Sequence, residues 1–203
     1  MAYTYDQAMA IVPRRARRIV NFCDGMSGFF GKAAAWLCAP MIAFLIYEVC
    51  MRYFLTKPTV WANDVTVLIF GIMYMLASPY CLRDGGHVRT DFFYHKWSPR
   101  VQGLADLAHY VLLFFPAHII FLKVAWAYFS KSFGQLETSP ESSWGMPIWP
   151  AKFAIPLYVT LTMAQGLSES LKCYYRIKTN VDLWHDRPAE EAGERPAAAE
   201  TAA

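Results

Sequence analysis

Apolar residues come in four long runs separated by short polar stretches, at about 29–54, 65–82, 104–129 and 149–171. The run at 65–82 is the cleanest, with no charged residue between Asp64 and Arg83. Roughly eighteen residues at about 1.5 Å of rise each cover about 27 Å, close to the roughly 30 Å hydrocarbon core of a bilayer. The runs carry apolar residues around the helix rather than along one stripe, as a soluble amphipathic helix would. The pattern predicts an all-α integral membrane protein with four transmembrane helices. Each run holds an internal proline (Pro40, Pro79, Pro116, Pro156), so kinked helices are expected. Ala35, Ala39 and Ala43 form a small-residue stripe that would let another helix approach, although alanine is also simply a common helix former.

The polar segments set the orientation. Arg14, Arg15, Arg17 and Arg18 precede the first run, Arg83, Arg89, Lys96 and Arg100 lie between the second and third, and Lys172, Arg176 and Lys178 follow the fourth. The other two connections hold only Arg52 and Lys57, and Lys131 and Lys152. Basic residues stay on the cytoplasmic side, so both termini and the central loop are expected there. The arginine cluster also suits a signal peptide, but no small-residue cleavage site closes the run, and a retained first helix is expected.

The resulting division is a basic cytoplasmic segment at 1–28, a membrane domain at 29–176 and a tail at 177–203. From Asp182 the chain is rich in Ala, Glu and Pro and expected to be disordered. After Gly85 and Gly86, Val88, Phe92 and Trp97 recur at near-helical spacing. This predicts a short interfacial helix between helices 2 and 3, with a solvated loop as the alternative.

Composition agrees: of 203 residues 56% are hydrophobic and only 17% charged, too few to coat a soluble domain. The net charge of +3 is spread along the chain without a patch for nucleic acid, so membrane lipid is the expected surroundings. Five cysteines without a C-x-x-C spacing suggest neither a disulfide framework nor a zinc site.

Ionisable groups inside a membrane are costly and direct attention to Glu48, Lys123, His118 and, at an edge, Asp64. Glu48 and Lys123 fall at similar depth, which leaves two partners open to Glu48: Lys123 across helices, or Arg52, four residues on in the favourable order, within its own helix. His118 has no second histidine at matching depth for a bis-histidine haem, so a hydrogen bond to Thr160, Thr162 or Gln165 is expected. No nucleotide, zinc-protease or serine-hydrolase motif appears, so no catalytic residue, cofactor or metal is assigned.

Three local patterns then stand out. Arg52 closes the first run, and Trp61, with Asp64 three positions on, opens the second. Gly85, Gly86, His87 and Asp91 form a Gly-Gly-His-x-x-x-Asp exit, and Pro147 and Trp149 lead into Ile155, Pro156 and Leu157. In these patterns the chain resembles the small membrane subunit (DctQ-type, or Q subunit) of tripartite ATP-independent periplasmic (TRAP) transporters, over about 29–176. The family more usually carries Glu-Glu where this chain has Asn63 and Asp64.

The resemblance implies a non-enzymatic permease subunit in the bacterial inner membrane. It would scaffold a large multispan (M-type) subunit and help dock a periplasmic binding protein (P-type) for sodium-coupled uptake of an organic anion, usually a carboxylate. Glu48, Arg52, Trp61, Asp64, Gly85, Gly86, His87, Asp91, Lys123, Trp149 and Pro156 are the expected subunit-contact or helix-anchoring residues. Two other classes compete: a membrane anchor of a cytochrome b-type redox complex, and a self-sufficient exporter working through Glu48.

Overall fold

The computed structural model describes residues 10–85, 97–140 and 144–181. Helix α1 spans Arg14–Tyr53 and α2 spans Val60–Arg83. Helix α3, Pro99–His109, passes through a π-helical turn, Tyr110–Phe114, into α4, Phe115–Gly134, and α5 spans Trp149–Thr179. Among the described residues there is no strand, only an isolated bridge between Thr138 and Pro147. The expected interfacial helix and the disordered tail lie outside the described residues.

Helix α5 is the hub, packing against α1, α2, α3 and α4, while α1 and α2 pair as an antiparallel hairpin. Ala34, Leu76 and Leu161 form the core where α1, α2 and α5 meet, with Phe30, Leu37, Ile72 and Leu157 around them. Close approach of α1 and α2 needs glycine. A Cβ on Gly31 would fall 2.6 Å from the Tyr80 ring, and one on Gly28 would fall 2.8 Å from Arg83 Nη1. The small-residue packing therefore runs through Gly28, Gly31 and Ala34, whereas Ala35, Ala39 and Ala43 face outward.

Three segments are long and apolar enough to cross a membrane: α1, α2 and the continuous rod Arg100–Gly134. Helix α5 has the length, at 31 residues, but not the apolar character expected of a fourth span. Its shortfall comes from Gln165, Ser168, Glu169 and Ser170, all of which are buried inside the bundle. Helix α1 also begins well before the expected span at 29–54. Ala16, Val20, Cys23 and Ser27 are buried at helical spacing, giving the early turns a packed face.

Prolines are answered in different ways. Helices α1, α2 and α5 run on through Pro40, Pro79 and Pro156. Ahead of Pro116 the rod widens into the π turn, which relieves the clash between a proline ring and the carbonyl four residues earlier. The turn carries Phe114 against Gly166 of α5, where a Cβ would fall 2.3 Å from the ring.

Candidate functional site: two polar ends of a helix bundle

At the end of the bundle where α1 stops, Glu48 is buried and fully engaged. Arg52 donates to its Oε1 from Nη2 at 2.9 Å and from Nε at 3.3 Å. The Thr59 backbone N–H donates to Oε2 at 3.1 Å, and the Thr59 hydroxyl binds the same oxygen. Thr59 is the N-cap residue just before α2, so one carboxylate ties the last turns of α1 to the start of α2.

Of the two partners open to Glu48, Arg52 takes it and Lys123 does not. Lys123 is exposed on α4, whose packing partner is α5. The sequence-adjacent arginine and the short 54–59 connection reach Glu48 first. Asp64 Oδ2 is buried with no hydrogen-bond partner among the described residues. Trp61 packs edge-on against Phe44, with centroids 5.9 Å apart, and against Tyr47 at 5.4 Å.

The connection between α4 and α5 reaches the same end. Lys152 binds Glu137 and lies over the Tyr128 ring at 4.1 Å. The Lys152 ammonium holds the Glu137 carboxyl below the usual carboxylate range. Ser139 N–H donates to the Met146 carbonyl at 2.7 Å and Ile148 N–H to that of Glu137 at 3.0 Å, closing the segment on itself. Trp149 packs edge-on against Phe133 at 5.4 Å, and Pro156 is buried about two turns beyond it in α5.

The opposite, basic end holds a larger polar network. Ser27 donates to Gln165 Oε1 at 2.7 Å, and Gln165 Nε2 donates to Asp24 Oδ1 at 2.9 Å and to Glu169 Oε1 at 3.0 Å. Ser168 donates to Asp24 Oδ1 at 2.8 Å. Lys172 bridges both carboxylates, 2.9 Å from Asp24 Oδ2 and 2.8 Å from Glu169 Oε1. Ser27, Gln165 and Ser168 are fully buried, at 0% exposure. Such groups are tolerated because every one of them finds a partner.

Neighbouring elements extend the network. Arg83 Nη1 reaches the Asp24 carbonyl at 3.4 Å, which brings in the end of α2. Arg176 binds Gln102 and lies 4.0 Å from Asp106 of α3. Gly103 lets α3 sit against Ile177 and the Cys173 carbonyl.

The family model described as "Tripartite ATP-independent periplasmic transporters, DctQ component" matches residues 41–174. The chain belongs to the DctQ family. Comparison with curated proteins gives no match. A DctQ component is part of a transporter, not of an enzyme family, and the cytochrome-anchor alternative gains no support. The DctQ match takes in Glu48, Arg52, Trp61 and Asp64 together with Gln165, Ser168, Glu169 and Lys172, while Asp24 and Ser27 precede it.

Gly85 has φ of 70° directly after α2, the left-handed position where glycine ends a helix without strain. Gly86, His87 and Asp91 lie outside the described residues. His118 does not reach α5: its Nδ1 lies 2.9 Å from the Phe114 carbonyl and its ring stacks on Phe114 at 3.9 Å. Thr160 and Thr162 donate to the carbonyls of Pro156 and Tyr158, and Gln165 is committed to Asp24 and Glu169. A nearby helical carbonyl thus outcompetes a partner on another helix.

Asp24, Glu169 and the network role of Lys172 were missed from the sequence. The signal was present: Gln165, Ser168, Glu169 and Lys172 repeat at the spacing that marks one helix face, and all are polar.

Proposed function

We propose that this chain is the small permease subunit of its TRAP system, holding the large multispan subunit in the membrane and helping to dock the periplasmic binding protein. Its polar side chains turn inward to one another, while large apolar residues on α1 and the rod, such as Leu45, Ile46, Leu112, Ile120 and Val124, face outward. That division, bonded polar groups inside and a broad apolar exterior, carries the reading, because it suits a scaffold. In this reading α5 is the fourth membrane helix, shielded from lipid by the others, and both termini are cytoplasmic. Transport of an organic anion, a carboxylate driven by sodium, then belongs to the partner chains.

Within that reading Glu48, Arg52 and Trp61 shape the periplasmic end, and Trp149 and Pro156 fix the start of α5. The unpartnered oxygen of Asp64 supports a contact there, because a buried carboxylate oxygen without a donor is costly and a donor from another chain would satisfy it. Gly85, Gly86, His87 and Asp91 anchor the cytoplasmic end, and Lys123 is available on the outer face of α4. Co-expression with the multispan subunit tests the proposal: the two chains should co-purify in nanodiscs and, with the binding protein, restore sodium-dependent uptake in liposomes. Retention of full uptake by the multispan subunit without this chain would overturn it.

A further inference from the structure

Helix α1 outruns its partner. Gly28 lies against Arg83, the last residue of α2, so residues 14–27 continue past the end of α2 for about 20 Å. One face of this extension is buried through Ala16, Val20, Cys23 and Ser27. The opposite face is a stripe at helical spacing: Arg14, Arg15 and Arg18, then Phe22, Phe29, Lys32 and Trp36. Phe22 is 70% exposed, Phe29 68% and Trp36 79%. Asp24, the sole acidic residue between Arg14 and Tyr47, is turned inward to Lys172, Gln165 and Ser168. The outward stripe therefore carries cations and aromatic rings with no carboxylate.

We propose that this stripe lies on the membrane surface and binds the headgroups of anionic phospholipids, with Arg14, Arg15 and Arg18 on the phosphates and Phe22 and Phe29 in the acyl boundary. Charge favours this occupant, since guanidinium groups pair with phosphate in two-pronged fashion. Continuity favours it too, because the stripe carries on at helical spacing through Trp36 to Ala43 and Tyr47 on the outward face of the span. At 40 residues α1 is about twice as long as a bilayer core requires, so the helix can tilt its extension into the interface while its centre still spans. Arginine stems then bury along the apolar boundary while their heads stay at the phosphate level.

The test replaces Phe22 with photoreactive p-benzoylphenylalanine in the full chain, reconstituted in nanodiscs of mixed phosphatidylglycerol and phosphatidylcholine. A nanodisc has two like faces, so the result does not depend on orientation. Adducts at position 22 should be lipid adducts, enriched about fivefold in phosphatidylglycerol over its share of the bilayer, since each basic side chain near an anionic surface favours it by about that factor. In the triple variant Arg14→Gln, Arg15→Gln, Arg18→Gln the enrichment should fall to near parity. A probe at Ile46 should give lipid adducts without headgroup preference in both proteins, which shows that the variant is folded and inserted. The proposal is overturned if position 22 yields no lipid adduct while position 46 does, if the triple variant keeps the phosphatidylglycerol preference, or if co-expressed multispan subunit captures the position 22 probe instead.

Discussion

Both ends of the bundle bury carboxylates, but they hold them differently. Glu48 takes all its partners from one hairpin, Arg52 in the same helix and Thr59 at the start of the next. Asp24 takes its partners from the far end of the chain, Gln165, Ser168 and Lys172, with Glu169 sharing the last of these. The first arrangement closes a turn and would form in an isolated hairpin. The second exists only when the first and last helices meet, so it specifies how the bundle closes.

The largest effect should come from Lys172. Its removal leaves Asp24 and Glu169 facing one another with no cation between them. Breaking a buried ion pair on one side costs about 3–5 kcal/mol. Lys172→Met should therefore destabilise the purified chain strongly in thermal unfolding, and adding Asp24→Asn and Glu169→Gln should recover most of the loss. Failure of that triple variant to recover would mean that Lys172 acts through packing rather than charge. Helix closure is probed differently at Gly166. Gly166→Ala forces Phe114 and the π turn to shift, at about 1–3 kcal/mol, a cost that Phe114→Leu should relieve.

The Glu48 clasp should matter less for global stability. Glu48→Ala leaves α1, α2 and α5 packed and lowers the unfolding midpoint by about 2–4 °C. Its local signature is sharper: the 54–59 connection should become the preferred site of protease cleavage. Arg52→Ala should do less than Glu48→Ala, because the arginine side chain is 57% exposed and the Thr59 contacts remain. Equal effects of the two would show that the ion pair, and not the tie to Thr59, carries the clasp.

These two ends also mark what was readable in advance. Three of the apolar runs have length and character enough to place a spanning helix and the fourth has the length alone, and the glycine closing α2 at Gly85 follows from the backbone conformation that glycine alone adopts freely. Local chemistry was legible as well, since Glu48 and Arg52 stand four residues apart in the favourable order. What could not be read was the pairing of Asp24 with α5, because nothing local links residues so far apart in the chain. The extent of α1 was missed for the same reason. The segment 14–28 looks polar until α5 supplies something for Ala16, Val20 and Cys23 to pack on. Hydropathy even points the wrong way for α5, whose polar positions lower its apolar character although they lie inside.

A third carboxylate contact gives the smallest and most easily isolated test. Glu137 and Lys152 join the connection between α4 and α5, and the Glu137 carboxyl titrates below its usual range because of the Lys152 ammonium. A group whose folded pKa is lowered contributes stability that is full above its unfolded value, about 4.3, and is lost as pH falls through the folded value. Amide exchange in the segment around Ser139 and Ile148 should therefore hold steady from neutral pH down to about pH 5, after correction for intrinsic rates. It should then rise on further acidification. In Lys152→Gln the protection should be lower at neutral pH and the acid-induced rise should largely disappear, because the lowered pKa that produces it comes chiefly from the Lys152 ammonium. The basic-end network should not follow this profile, because its contacts join different helices. Exchange around Gln165 that tracked Glu137 titration would show the two ends to be coupled through α5.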